Sequence, residues 1–401
     1  MIKYKFWVAA LVGILLLPNT AVSADVEKEA FEKGVSCFDK GEYDAAIAAF
    51  TEVIRLNPKN AEVYFGRGIA YENKGDYGKA IADFTEVIRL NPSCSLAYNN
   101  RGNVCDEMGK QDKAIADYNE AIRLDPNYSE AYYNRGIIFG HKGGYDKAIA
   151  DYTEAIRLNP KYADAYSNRG IAYRHKGEYD KAIADYNDAI KLSPTNAQAY
   201  FNRGLVHLSK SEHDKAIADF TVAIRLRPRY SEVYCSRGLA NAENGHQETA
   251  IVDYTEAIRI NPKYAEAYYN RGNVYGHKGE YDKAIPDFNV AIQLNPKLAE
   301  AYNNRGNAYL GKGDRDKAIA DFTVAIRLDQ IFAVAYNNRG GAYLGKGEYG
   351  KAIADYNDAI RLNPNYAKAY YGRAYAYHQK GDKAKANADF AQAKKLGFKP
   401  Q

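Results

Sequence analysis

The chain is 401 residues long, with 46% hydrophobic residues, 37 tyrosines and a formal charge of +5 from 55 basic and 50 acidic side chains. So even a balance gives no general drive toward nucleic acid, and the abundance of tyrosine and small residues excludes a disordered polymer. After Leu17 no apolar stretch approaches the roughly 20 residues needed to span a bilayer.

The first predicted element is a leader. Lys3 and Lys5 precede the apolar run Phe6 to Leu17, Pro18 and Asn19 break it, and Ala21-Val22-Ser23-Ala24 offers small residues before Asp25. This order predicts a secretory signal peptide over residues 1–24, and hence a periplasmic or secreted protein. Without those residues, which hold two lysines and no acid, the charge of +5 falls to about +3. Four cysteines in an exported chain raise the question of disulfides. Cys37 and Cys105 occupy one repeat position two units apart, and Cys94 precedes the helix that carries Cys105 near its far end. Neither arrangement suggests the approach within about 7 Å that a bridge requires. No disulfide is expected, and Cys37 and Cys105 read as small buried apolar side chains.

From residue 27 onward the sequence repeats. Prolines recur every 34 residues at Pro58, Pro92, Pro126, Pro160, Pro194, Pro228, Pro262 and Pro296, then Gln330 interrupts and Pro364 resumes. Eleven units of 34 residues begin at Glu27, Ala61, Ser95, Ser129, Ala163, Ala197, Ser231, Ala265, Ala299, Ala333 and Ala367, and run to residue 400 without insertion. In the unit 265–298 the spacing predicts a first helix from Ala265 to His277, with Tyr268, Gly272 and Tyr275 on one face. Gly279 ends it. The second helix carries Asp282 in its first turn, where a negative charge favours the helix dipole. Its apolar stripe is Ala284, Ile285, Phe288, Ala291 and Ile292, and Asn295-Pro296 stops it.

The spacing of Tyr268, Gly272, Tyr275, Ala284, Phe288, Ala291 and Pro296 resembles the tetratricopeptide repeat, in register eleven times over essentially the whole chain after the leader. The resemblance implies an all-α, right-handed superhelical solenoid of antiparallel helix pairs, with the first helices lining a concave face. Pro286, inside a second helix, and Gln330 are expected to soften the array locally, with no domain boundary and no linker. In the last unit Asn387 and Lys394 replace the isoleucines found at the equivalent places, Ile47 and Ile54 in the first. That substitution reads as a solvated cap closing the stack.

Ten units carry an arginine, from Arg67 to Arg373, sixteen residues before an aspartate, from Asp83 to Asp389; the first unit has Lys33 and Ala49 instead. These are expected to form partly exposed ion pairs within each unit, structural in role and worth about 0–1 kcal/mol each. An asparagine precedes that arginine at Asn100, Asn134, Asn168, Asn202, Asn270, Asn304 and Asn338. Asparagine is a poor residue for a helix interior. One reading is amides that bond the backbone of an extended peptide, similar to the asparagine ladder of the O-linked N-acetylglucosamine transferases. The other is bonding between neighbouring helices.

The family register also directs Phe31, Phe65, Tyr133, Phe201, Tyr269 and Tyr371 inward, followed by Ile69, Ile137, Ile171 and Leu205; these serve either as anchors for a partner or as wall packing. Acidic groove positions such as Glu62, Glu72, Asp106, Glu107, Glu130 and Asp164 outnumber Lys28, Arg174 and Lys368. The expected partner is therefore a neutral to basic protein or peptide rather than nucleic acid. The lysines of the family's carboxylate clamp are missing from the required positions.

No cofactor or metal is expected. The segment Gly345 to Lys351 matches a glycine-rich phosphate pattern only in letters, because no strand precedes it and Ala352 stands where Ser or Thr is needed. His141, His175 and His277 share one repeat position, too far apart to ligate one ion. The expected function is a non-enzymatic scaffold that binds an extended peptide or protein segment in the concave groove. The alternative is an envelope-assembly component that handles polysaccharide.

Overall fold

Each 34-residue unit folds as a helix pair because its apolar residues recur at helical spacing and its two turns carry their own stop signals. The computed structural model describes residues 21–399, and among these it has twenty-two helices and no strand. The leader expected over residues 1–24 lies outside the described residues, apart from its last four, which open the first helix. Contacts divide the chain after Pro194 into two compact units. The first contains α1 (Ala21–Asp39), α2 (Tyr43–Leu56), α3 (Ala61–Lys74), α4 (Tyr77–Leu90), α5 (Ser95–Glu107), α6 (Gln111–Leu124), α7 (Ser129–His141), α8 (Tyr145–Leu158), α9 (Ala163–His175) and α10 (Tyr179–Leu192). The second contains α11 (Ala197–Ser209), α12 (His213–Leu226), α13 (Ser231–Glu243), α14 (Gln247–Ile260), α15 (Ala265–His277), α16 (Tyr281–Leu294), α17 (Ala299–Gly311), α18 (Arg315–Leu328), α19 (Ala333–Gly345), α20 (Tyr349–Leu362), α21 (Ala367–Gln379) and α22 (Lys383–Lys395). Within each unit the chain is an all-α solenoid in which every helix packs on the next.

The core is built from one recurring contact. In α16, Ala284, Phe288 and Ala291 are buried, and the Phe288 ring lies against Gly272 of α15. A Cβ on Gly272 would come within 2.9 Å of that ring, so only glycine admits the aromatic. The turn inside each pair needs a left-handed residue. Glycine supplies it at Gly279 (φ 75°), and Ser211 (φ 58°) is the one non-glycine residue with positive φ among the described residues. Most turns between pairs are closed by an Asx side chain: Asn159 Oδ1 accepts from the Lys161 amide at 3.2 Å, and Asn261 Oδ1 from the Lys263 amide at 3.1 Å; Ser193 and Arg227 stand at that place in two others.

The same bond is present where the terminating proline is missing. At Gln330 the turn is unchanged, because Asp329 Oδ1 accepts from the Ile331 amide at 3.0 Å and α18 still ends at Leu328. Here the aspartate holds the turn without a proline. Pro286 lies inside α16, which runs unbroken from Tyr281 to Leu294. In the second turn of that helix it gives up the bond that its missing N–H would have made to the Asp282 carbonyl, and its ring crowds that carbonyl. Asn387 and Lys394 are both exposed on α22. Cys37, Cys105 and Cys235 are buried, Cys94 is partly so, and all four thiols are free.

All ten arginine–aspartate pairs form, each within its own repeat. Arg67 donates from Nε and Nη2 to the two oxygens of Asp83, both at 2.8 Å, and its Nη1 reaches Thr51 Oγ1 on α2 at 3.0 Å. The third bond recurs from Arg135 to Asn119 and from Arg305 to Asn289, so the arginine ties its own pair to the preceding second helix. The side chains are less exposed than expected: 16–22% for the arginines and 2–11% for the aspartates. The surface value of about 0–1 kcal/mol therefore does not apply; breaking such a bidentate pair strands a buried charge. A second ladder is exposed: Lys142–Asp112 and Lys176–Asp146, each at 2.6 Å, also link consecutive repeats. There the surface value holds.

Candidate functional site

First helices of consecutive repeats touch one another, as α5 does α7 and α15 does α17, whereas among the described residues no two second helices make comparable contact. The first helices therefore line the crowded inner face of each stack, and the asparagines stand there.

Most of their amide donors are taken by the preceding repeat. Asn134 Nδ2 donates to Asn99 Oδ1 at 3.1 Å and Asn103 Oδ1 at 3.0 Å; Asn304 Nδ2 donates to the Tyr269 hydroxyl at 3.2 Å and Asn273 Oδ1 at 2.8 Å. Asn168 donates to the Tyr133 hydroxyl at 3.1 Å, Asn338 to Asn303 Oδ1 at 3.0 Å, and Asn270 makes a long contact with Cys235 Sγ at 3.8 Å. Asn100 turns back to the Leu96 carbonyl at 2.8 Å. Asn202 is buried, accepts from Gln198 Nε2 at 3.1 Å, and leaves its own Nδ2 without an acceptor. Bonding between neighbouring helices is thus what this geometry displays. What remains for a ligand is acceptor capacity: Oδ1 of Asn134, Asn168 and Asn270 has no donor among the described residues.

The inward aromatics are largely wall. Phe65 is 2% exposed and meets Phe84 edge-on at 5.5 Å, so it offers no face to a peptide. Tyr133 lies between Tyr152 at 5.9 Å and Tyr162 at 4.6 Å, Phe201 between Phe220 at 5.9 Å and Tyr230 at 5.3 Å, and Tyr269 beside Phe288 at 6.2 Å. These three are partly exposed, and two lend their hydroxyls to the asparagines of the next repeat. The sequence identified the positions. It held no signal for the cross-repeat bonds, because the partners Asn99, Asn103 and Asn273 are not part of the repeated pattern.

Repeats two and three place an acidic cluster on this face. One carboxylate oxygen of Glu72 is buried without a partner, and burial together with the nearby charge of Glu107 pushes the group up to about 7. The Tyr118 hydroxyl donates to Asn103 Oδ1 at 2.8 Å beside it. Because the folded value lies above the ordinary 4.5, the stabilising contribution is fully present below about pH 4.5 and lost as pH rises through 7. Glu72→Gln, which mimics the neutral acid, is expected to stabilise α3 and α5 by about 1–3 kcal/mol at pH 8 and to change nothing at pH 4. Amide exchange at the two pH values measures it, and an equal effect at both would refute the assignment.

Two repeats further on, Ile137, Ile171, Tyr145 and His175 line an open recess of about 170 Å³, in which the tyrosine and histidine rings stack at 4.9 Å. His141, His175 and His277 are all exposed. Among the described residues no group of His, Cys, Asp or Glu could hold a metal ion, and no helix is long and apolar enough to cross a membrane.

The family profile described as TPR repeat matches residues 34–75, 102–143, 138–177, 172–211, 243–279 and 342–381, more than half of the chain. Profiles described as tetratricopeptide repeat match 61–94, 197–230, 265–298, 299–330 and 367–396. The chain belongs to the tetratricopeptide repeat family. No curated protein matches it. Among solved structures it is similar to the Cut9–Hcn1 hetero-tetramer of the APC/C, 17% identical over 92% of this chain and 93% of that one, with a TM-score of 0.50, a likeness of fold alone. MamA is 33% identical over 42% of this chain and 92% of its own, with a TM-score of 0.40. A tetratricopeptide repeat protein from Parabacteroides merdae is 22% identical over 62% and 98%, with a TM-score of 0.49. Proteins of this family are typically non-enzymatic, and the fold is consistent with a protein-interaction scaffold.

Proposed function

We propose that the protein is exported and acts as a non-enzymatic scaffold that binds an extended, neutral to basic peptide or protein segment along its first helices. The observation that supports this is the chemistry left over on that face: unfilled acceptor oxygens on Asn134, Asn168 and Asn270, and the exposed carboxylate of Glu107. A backbone rich in N–H donors and a few basic side chains complements both. With helices packed about 10 Å apart, each repeat faces about three residues of extended chain.

The test is a pull-down from the periplasmic or secreted fraction, with the bait beginning at Asp25. Replacing Asn134, Asn168 and Asn270 together by alanine is expected to weaken capture of the partner protein about tenfold or more, whereas Asn202→Ala leaves it unchanged. Equal loss from Asn202→Ala, or retention of a glycan in place of a protein, would overturn the reading.

A further inference from the structure

Consecutive repeats join through one recurring register between a second helix and the first helix that follows it. Ile81 and Ile88 of α4 pack with Ala97 and Val104 of α5, Ile217 and Ile224 of α12 with Val233 and Ala240 of α13, and Ile353 and Ile360 of α20 with Ala369 and Ala376 of α21. One turn further along, Tyr145 of α8 stacks on His175 of α9 at 4.9 Å, and His213 of α12 meets Glu243 of α13 at 3.6 Å. Among the described residues α1 has no second helix before it and α22 no first helix after it, so each shows one bare half of this contact.

The two bare halves carry opposite charge in matching register. On α1, Glu29 and Ser36 stand where α5 buries Ala97 and Val104, and Asp39 stands where α9 has His175. On α22, Asn387 and Lys394 stand where α4 has Ile81 and Ile88, and Lys383 stands where α8 has Tyr145. Helices joined by so short a turn run antiparallel, so the register sets Lys394 against Glu29, Asn387 against Ser36 and Lys383 against Asp39. All six are exposed. The ion pairs of these helices, Lys28–Glu32, Arg373–Asp389 and Lys385–Asp382, leave the four charged ones unpaired among the described residues. Like charges do not meet. Lys33 falls opposite Ala391 and Lys40 opposite Ala384, in the way Arg135 falls opposite Asn119 and Lys142 opposite Asp112 inside the array. The imbalance is also regional: residues 25–60 hold eight acidic and five basic side chains, and residues 367–400 two acidic and eight basic. Solvating the ends of a repeat array needs only polar residues, not opposite signs at opposed positions.

We propose that copies of this chain associate head to tail, with α22 of one copy seated on α1 of the next in the register that joins consecutive repeats. Lys394–Glu29 and Lys383–Asp39 are the ion pairs of the contact, and Asn387 meets Ser36 between them. A heterologous contact of this kind does not saturate at two copies. Because it rests on exposed charges, it is reversible and weakened by salt. It is independent of the peptide-scaffold reading, since none of the six residues belongs to the asparagine series.

The test is sedimentation velocity on the chain from Asp25 to Gln401, at concentrations up to about 200 µM and in about 20 mM and about 500 mM salt. At low salt the weight-average sedimentation coefficient is expected to rise with concentration beyond the value of a dimer. At high salt the association constant should fall about tenfold or more. Glu29→Lys and Lys394→Glu both lie on exposed helix surface, so circular dichroism should be unchanged, and either alone should weaken association about tenfold or more. Mixing the two variants sets an acid against an amine again at every junction between unlike copies, and should restore association. Asp39→Lys and Lys383→Glu form a second set with the same expected behaviour. A monomer at every concentration in low salt overturns the proposal. So does association that stops at a dimer, that the single substitutions leave unchanged, or that the mixture fails to restore.

Discussion

Asp253→Ala is expected to remove about 3–5 kcal/mol from the stability of the second unit. The Asp253 side chain is 2% exposed and receives Arg237 Nη2 at 2.6 Å, Arg237 Nε at 3.0 Å and Asn241 Nδ2 at 3.0 Å. Deleting the carboxylate leaves a guanidinium, itself 21% exposed, without its counter-ion and frees the brace to Thr221 Oγ1, 3.1 Å away. The double change Arg237→Leu with Asp253→Ala should cost markedly less, about 1–2 kcal/mol, because no charge is stranded. The first repeat, which has Lys33 and a buried Ala49 at these places, keeps its cation exposed to water. Urea unfolding combined with amide exchange in α13 and α14 measures the effect, since an array of repeats does not unfold as a single two-state unit. A single mutant no worse than the double would show that the pair contributes only at the surface level.

Gly238→Ala is expected to cost about 2–3 kcal/mol, although alanine is the better helix former. Its Cβ would sit 2.8 Å from Tyr254 Cε1, 3.0 Å from Cδ1 and 3.1 Å from Cζ, and the tyrosine is 1% exposed with no room to withdraw. Adding Tyr254→Leu relieves the clash, so the double mutant should lose less than the sum of the two singles. Gly341→Ala is the control. There the nearest atom is 3.8 Å away, and alanine should be neutral or stabilising by about 0.5–1 kcal/mol. If the thermal unfolding curves of the two alanine variants coincide, the packing explanation fails.

These two sites differ in how far the sequence announced them. The glycine at Gly238 and the ring at Tyr254 repeat at a constant spacing of sixteen residues, and only close packing explains a glycine kept in a helix interior. The arginine–aspartate pairing was legible for the same reason. Its third arm was not: Thr51, Asn119 and Thr221 are ordinary polar residues on second helices, and nothing marks them as acceptors until the preceding repeat is stacked alongside. The asparagines were legible as positions, but the use of their donors was decided by neighbours such as Asn99, Asn103 and the Tyr269 hydroxyl.

The helix pairs, their boundaries and the family follow from the sequence alone, because helical periodicity, a left-handed glycine and an Asx turn are local properties that thirty-four residues contain in full. Even the interrupted beat at Gln330 is repaired locally, by Asp329. The character of the inner face is different. Which amides are spent on neighbours, that Phe65 is closed off and that Glu72 is pushed toward neutrality are consequences of distances between repeats. Such distances are set by the stacking of whole helix pairs, and no single repeat carries them.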